Sequence, residues 1–202
     1  MTRLPMLCAV STLSRASRRA TGILLCTGVV ISALPHAAQA GQDAAAKESA
    51  AAVKAAFLAD IEAMRVKFVG LAEAFPPDKY TWRPMDDVRS VSEVLMLIAS
   101  EGYGFAPIVF GGKPAMSRDA SVGLPMVTDK AQVIGYLDKG LACAKQSIEA
   151  IDPATLAGKR NVFGRDRTTP EIVLMVAGDM HEHLGQLIAY ARMNQIVPPW
   201  SK

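Results

Sequence analysis

The stretch 179-DMHEHLGQLIAYAR-192 gathers two carboxylates and two of the three histidines in the chain. Imidazole and carboxylate groups are the side chains that hold borderline divalent metals or move protons near neutral pH. Neighbours in spelling are not neighbours in space, however. On a helix each residue turns about 100°, so His181 and His183 point about 160° apart and cannot share one ion. Residues 172, 175, 176, 179, 183, 186, 187 and 190 recur at intervals of three or four and form one largely apolar stripe, which predicts an inward face. Asp179 and His183, at i and i+4, meet on that stripe, while His181 falls on the opposite, solvated side.

A third donor has to come from another element, because helical proteins build metal sites from side chains on facing helices. Glu101 is the candidate. It lies one turn beyond Ile98 on a segment whose apolar side is Val91, Val94, Leu95, Ile98 and Phe105, about 60° from that side on the helical wheel. Glu101, Asp179 and His183 with water make a set of two carboxylates and an imidazole, suited to Zn, Ni, Fe or Mn. The competing reading leaves Glu101 as a wet residue near a helix end, since carboxylates are seldom buried without a partner. Gln186 and Tyr190 continue the inward stripe and are in reach of a ligand, with Tyr190 expected in the core and its hydroxyl at an edge.

Four segments carry these residues. The first helix is expected over about 43–74, with Val53, Phe57, Ile61, Met64, Phe68 and Leu71 spaced by three or four and Phe75-Pro76-Pro77 ending it. The second starts at Ser90, where Ser90-Val91-Ser92-Glu93 fits a capping box, and reaches about Phe105. A Gly/Pro-rich connection from Gly102 to Thr128 follows, long enough to cross a bundle. The third helix is expected over about 129–150 with Thr128 as cap, and the fourth from Thr169-Pro170-Glu171 to about Asn194, a residue that tolerates the left-handed backbone. No alternating strand pattern is present. The expected fold is all-α, a four-helix bundle with one long crossover between helices 2 and 3.

The residues HLGQLIAYARMNQIVPP at the end of the chain, with Tyr80-Thr81-Trp82-Arg83-Pro84 and Val88-Arg89-Ser90-Val91-Ser92-Glu93 before the second helix, resemble the DinB/YfiT-like family. The resemblance implies a four-helix bundle and a site of three histidines, one on the second helix and two at i and i+4 on the last. His183 matches the last of these. The i−4 position falls on Asp179 and the second-helix position on Leu97, which cannot bind a metal. Members with assigned activities include thiol-dependent transferases and isomerases, which implies a small-molecule substrate and chemistry on a thiol or a water.

The rest of the chain narrows the class. Residues 1–40 contain Arg3, Arg15, Arg18 and Arg19 without an acid, then an apolar run from Gly22 to Leu34, then Ala38-Gln39-Ala40. That order predicts a cleavable export signal, a domain over 41–202, and a periplasmic or secreted location. The run is shorter than the roughly 20 residues that span a bilayer, so no membrane span is expected in the mature chain. With those four arginines set aside, 18 basic residues face 19 acidic ones and no basic stripe remains, which argues against nucleic acid as a partner. Cys143 would then stand alone, off the apolar stripe and without a basic neighbour, and is not expected to act as a nucleophile. Met64, Met96, Met175 and Met193 are expected in the core, and Trp82 and Trp200 against the bundle ends. Ile108, Val109, Phe110, Leu124 and Met126 give the crossover more apolar surface than a solvated loop needs, consistent with a homodimer or with a loop folded over the bundle. Two functions stay open: a metal-binding bundle with transferase-like or hydrolase-like chemistry, and a metal-free binding or structural module that has lost the site.

Overall fold

A computed structural model describes residues 34–201. The expected export signal therefore lies outside the described residues, except for 34–40, which continue the first helix. Helix α1 spans Leu34–Ala74, α2 Val91–Ser100, α3 Ala106–Val109, α4 Arg118–Val122, α5 Lys130–Glu149 and α6 Thr169–Met193. One five-residue π-helical segment, Glu101–Phe105, joins α2 to α3 without a break. Helix α1 packs against α5 and α6, and α5 packs against α2, so the four long elements form the expected all-α bundle. No helix among the described residues is long and apolar enough to cross a membrane.

Local chemistry explains where the elements begin and end. Ser90 and Glu93 close the expected capping box at α2, and a second box of Thr168 and Glu171 starts α6. That start is one residue earlier than expected: Thr168 is the cap, because its carboxylate partner must stand three residues on, and Pro170 moves to the second helical position. Asp129, not Thr128, caps α5 for the same kind of reason, its carboxylate accepting from the Gln132 amide at 2.9 Å. At the end of α6 the left-handed residue is Gln195, with φ 59°, rather than Asn194. The Ile196 amide reaches back to the Ala191 carbonyl and the Gln195 amide to that of Arg192, the paired bonds of a Schellman turn.

The core is one hydrophobic cluster running from Ala50 to Ala191. Met64 and Met96 lie in it and Met175 against it, whereas Met193 is 61% exposed, at the solvent side of the last turn. Much of the crossover folds onto the bundle: Val109, Phe110 and Leu124 are buried, leaving Ile108 and Met126 exposed. Trp82 packs edge-on against Tyr190, ring centroids 5.4 Å apart, and Pro199-Trp200 rests on α1 beside Gly70 and Lys67.

One element contradicts the all-helical expectation locally. Lys159–Val162 (β1) and Arg165–Thr168 (β2) form an antiparallel hairpin with Val162 opposite Arg165. Only Val162 of its eight strand residues is buried, so no run of alternating apolar residues marks it in the sequence. Its two-residue turn is Phe163-Gly164, both at positive φ, and Phe163 lies stacked on Phe105 at 5.9 Å. A bulky residue seldom takes that backbone, which hides the turn from sequence.

Candidate metal centre

Glu101 is the first residue of the π segment. The Ala106 amide donates to the Glu101 carbonyl, five residues back, so the helix is widened by one residue as it leaves α2. Close backbone contact fixes the segment against α5: a Cβ on Gly102 would lie 2.1 Å from the Gly140 carbonyl oxygen, and one on Gly140 2.5 Å from that of Ala99. Two glycines facing each other thus let the π segment press on α5 and set the direction of Glu101.

The site lies where this segment faces the middle of α6. One donor atom each from Glu101, Asp179 and His183 lie within 4.8 Å of one another. All three side chains are partly buried. A cavity of about 10 Å³, enough for one water, adjoins Glu101 and Asp179, and its other walls are apolar, among them Ile98, Phe105, Leu141, Val176 and Met180. Glu101 Oε2 is buried there with no hydrogen-bond partner. Burial foremost, and then the Asp179 carboxyl, raise the Glu101 pKa to about 8, with Arg89 opposing weakly. A Glu101 carboxylate buried beside a second acid is costly near neutral pH unless a cation joins it.

The imidazole is oriented by a chain of hydrogen bonds whose polarity can be worked out from its far end. Tyr190 donates its hydroxyl proton to the Arg89 carbonyl at 3.0 Å. The Tyr190 oxygen therefore accepts from Gln186 Nε2, at 2.8 Å, and the other end of that amide, Oε1, must face His183. Oε1 lies 3.0 Å from His183 Nδ1. An amide oxygen can only accept, so Nδ1 donates to it, and Nε2 is the ring nitrogen left on the side of Asp179. His183 Nε2 stands 3.8 Å from Asp179 Oδ1, too far for a hydrogen bond. This is the arrangement of a metal-ligating histidine, whose outer nitrogen is pinned to an acceptor.

The three residues singled out from spacing are thus brought together. Leu97 takes no part; its carbonyl accepts from Ser100 Oγ, and its side chain lies one turn before Glu101. His181 is on the far side, as expected, half exposed and 2.9 Å from Asp60 of α1. Burial pushes the Cys143 thiol up, which suits an inert residue. Gln186 and Tyr190 were visible as inward positions, but the role of the Arg89 carbonyl was not, since a backbone acceptor leaves no mark in residue type.

The family model described as the DinB superfamily matches residues 60–187, more than half of the chain, including α2, the π segment and His183. The chain belongs to the DinB superfamily. No curated protein matches it. Within this DinB protein the donors offered are one imidazole and two carboxylates, from α6 and the π segment that follows α2.

Proposed function

We propose that this DinB protein binds one divalent metal ion through His183 Nε2, Asp179 and Glu101, beside a cavity with room for one water. The observation that carries the reading is the convergence of donor atoms from Glu101, Asp179 and His183 within 4.8 Å of one another, with His183 Nδ1 engaged by Gln186. The buried Glu101 Oε2, which no donor among the described residues reaches, supports it, because a cation would partner that oxygen. So does the donor set, whose two acids repel until a positive charge joins them. Zn, Ni, Fe and Mn all accept such a set. Bound there, the ion would supply the lowered pKa of a coordinated water or thiol.

The chain's own residues do the rest. Gln186, held by Tyr190, keeps the imidazole in one tautomer and one orientation. Ile98, Phe105, Leu141 and Val176 wall the cavity beside the buried Glu101 carboxyl. The function proposed is therefore that of an exported metal-dependent bundle acting on a small molecule by water or thiol activation, its export resting on the layout of residues 1–40. A second reading has one observation in its favour: the Glu101–Asp179 pair can also stabilise itself by sharing a proton, which needs no metal and would suit a binding or structural module. Elemental analysis of the purified protein separates the two. Wild type should carry close to one ion per chain, and Glu101→Gln and Asp179→Asn much less. Equal metal content in all three would remove these residues as ligands, and wild type without metal would leave the metal-free module.

A further inference from the structure

The hairpin holds an unexplained pair of charges. Arg160 is registered directly opposite Arg167. Opposed residues of an antiparallel ribbon share a face, so these two lie on the side of Val162 and the exposed Arg165, with Lys159, Asn161, Asp166 and Thr168 on the other. Val162 is 5% exposed and belongs to the core, which identifies that side as the one turned to the bundle. Arg160 and Arg167 are partly buried with it, whereas Lys159, Asn161 and Asp166 are exposed.

Like charges directly opposite each other repel, and withdrawing a guanidinium from water is costly unless an anion meets it. Neither arginine forms an ion pair with a carboxylate among the described residues. Arg160 donates only to hydroxyls, those of Thr169 at 3.0 Å and Thr155 at 3.4 Å. Arg167 makes no hydrogen bond there through its side chain, and its Nε is buried without a partner. The nearby acid makes no ion pair with either arginine: the Glu171 carboxylate accepts from the Thr168 amide at 2.7 Å and from the Thr168 hydroxyl at 2.8 Å, and feels the Arg167 charge only as a lesser influence.

We propose that Arg160 and Arg167 form a binding site for a small tetrahedral oxyanion of the phosphate type, between the hairpin and the bundle and separate from the metal centre. Two guanidinium forks on one face supply planar donors that suit two edges of such an anion, and its charge removes the repulsion between them. The phosphate can come from solution or from a lipid headgroup.

The test uses the full chain after chelator treatment. Inorganic phosphate is titrated at constant ionic strength, with the rise in Tm and the heat of binding as readouts. Vesicles with an anionic phosphodiester headgroup, against neutral ones, form a second arm. Wild type and Lys159→Gln should show saturable binding. Arg167→Gln should bind about tenfold more weakly or worse, and Arg167→Lys, which keeps the charge but lacks the buried Nε, should fall between. Because the readout is the phosphate-induced change, a general loss of stability in a variant does not mimic the result. Binding of free phosphate assigns a soluble oxyanion, and binding of vesicles alone assigns the same pair to a headgroup phosphate. No saturable binding of either by wild type, or undiminished binding by the Arg160→Gln/Arg167→Gln double variant, overturns the site.

Discussion

Asp179 and His183 make opposite demands that only a third partner reconciles. His183 Nε2 stands 3.8 Å from Asp179 Oδ1, too far for a hydrogen bond, so the imidazole gains no hydrogen bond from that carboxylate. Gln186 fixes that orientation, so its removal should weaken metal binding without removing a ligand. Gln186→Leu is expected to cost roughly 10–100-fold in metal affinity, the usual effect of losing the group behind a ligating histidine, and competition with a chromophoric chelator measures it. Tyr190→Phe should act in the same direction, because the amide is then free to turn over. Glu101 gives a pH signature. Its folded-state pKa is raised from an ordinary 4.5 to about 8, so the folded ion-free protein binds that proton more tightly than the unfolded chain. The associated stability is fully present below about pH 4.5 and is lost as pH rises toward 8. Urea unfolding of chelated protein should show this decline, and Glu101→Gln should flatten it. A decline of the same slope in the variant would remove Glu101 as its source. Of these residues, the sequence showed the inward stripe and the one-turn offset of Glu101 but not the relay, which closes on a backbone carbonyl of another element.

At the scale of elements, caps and backbone contacts can be tested one at a time. Ser90→Ala and Thr168→Ala each remove a capping box, and each should cost about 1 kcal/mol. The Glu93 carboxyl is held below the usual range chiefly by the Ser90 amide, so its contribution is present above that range and is lost as acid protonates it. Gln195 sits exposed at positive φ inside a Schellman turn, where glycine carries no Cβ penalty. Gln195→Gly should therefore stabilise by up to about 1 kcal/mol, a rise in Tm of roughly 2–4 °C in a chain of this size. Gly140→Ala should do the reverse, costing about 1–3 kcal/mol and shifting the π segment, because its new methyl would meet the Ala99 backbone. Thermal unfolding followed by circular dichroism checks all four. The helices were legible because their caps and periodicity lie in residue types a few positions apart. The β1–β2 hairpin was not, since its stability comes from burying one valine and from a strained Phe163 stacked on a residue far away in sequence.

For the whole molecule, the described residues share one hydrophobic core, and the Glu101–Asp179–His183 cluster lies at its edge between α6 and the segment after α2. A cation there would tie together elements remote in sequence. The holo protein should unfold at higher temperature than the chelated one, with a gap that grows with free metal concentration, and Asp179→Asn should close most of the gap. The architecture itself followed from four amphipathic segments and one long connection, and the apolar residues of the crossover left open the inward folding that Val109, Phe110 and Leu124 adopt. The central claim is most directly tested by anomalous diffraction at the metal edge, from crystals grown with zinc. The account predicts one strong peak at about 2.0–2.2 Å from His183 Nε2 and from carboxylate oxygens of Asp179 and Glu101. A map without a peak there, or with His183 Nε2 hydrogen-bonded to a carboxylate instead, would contradict it.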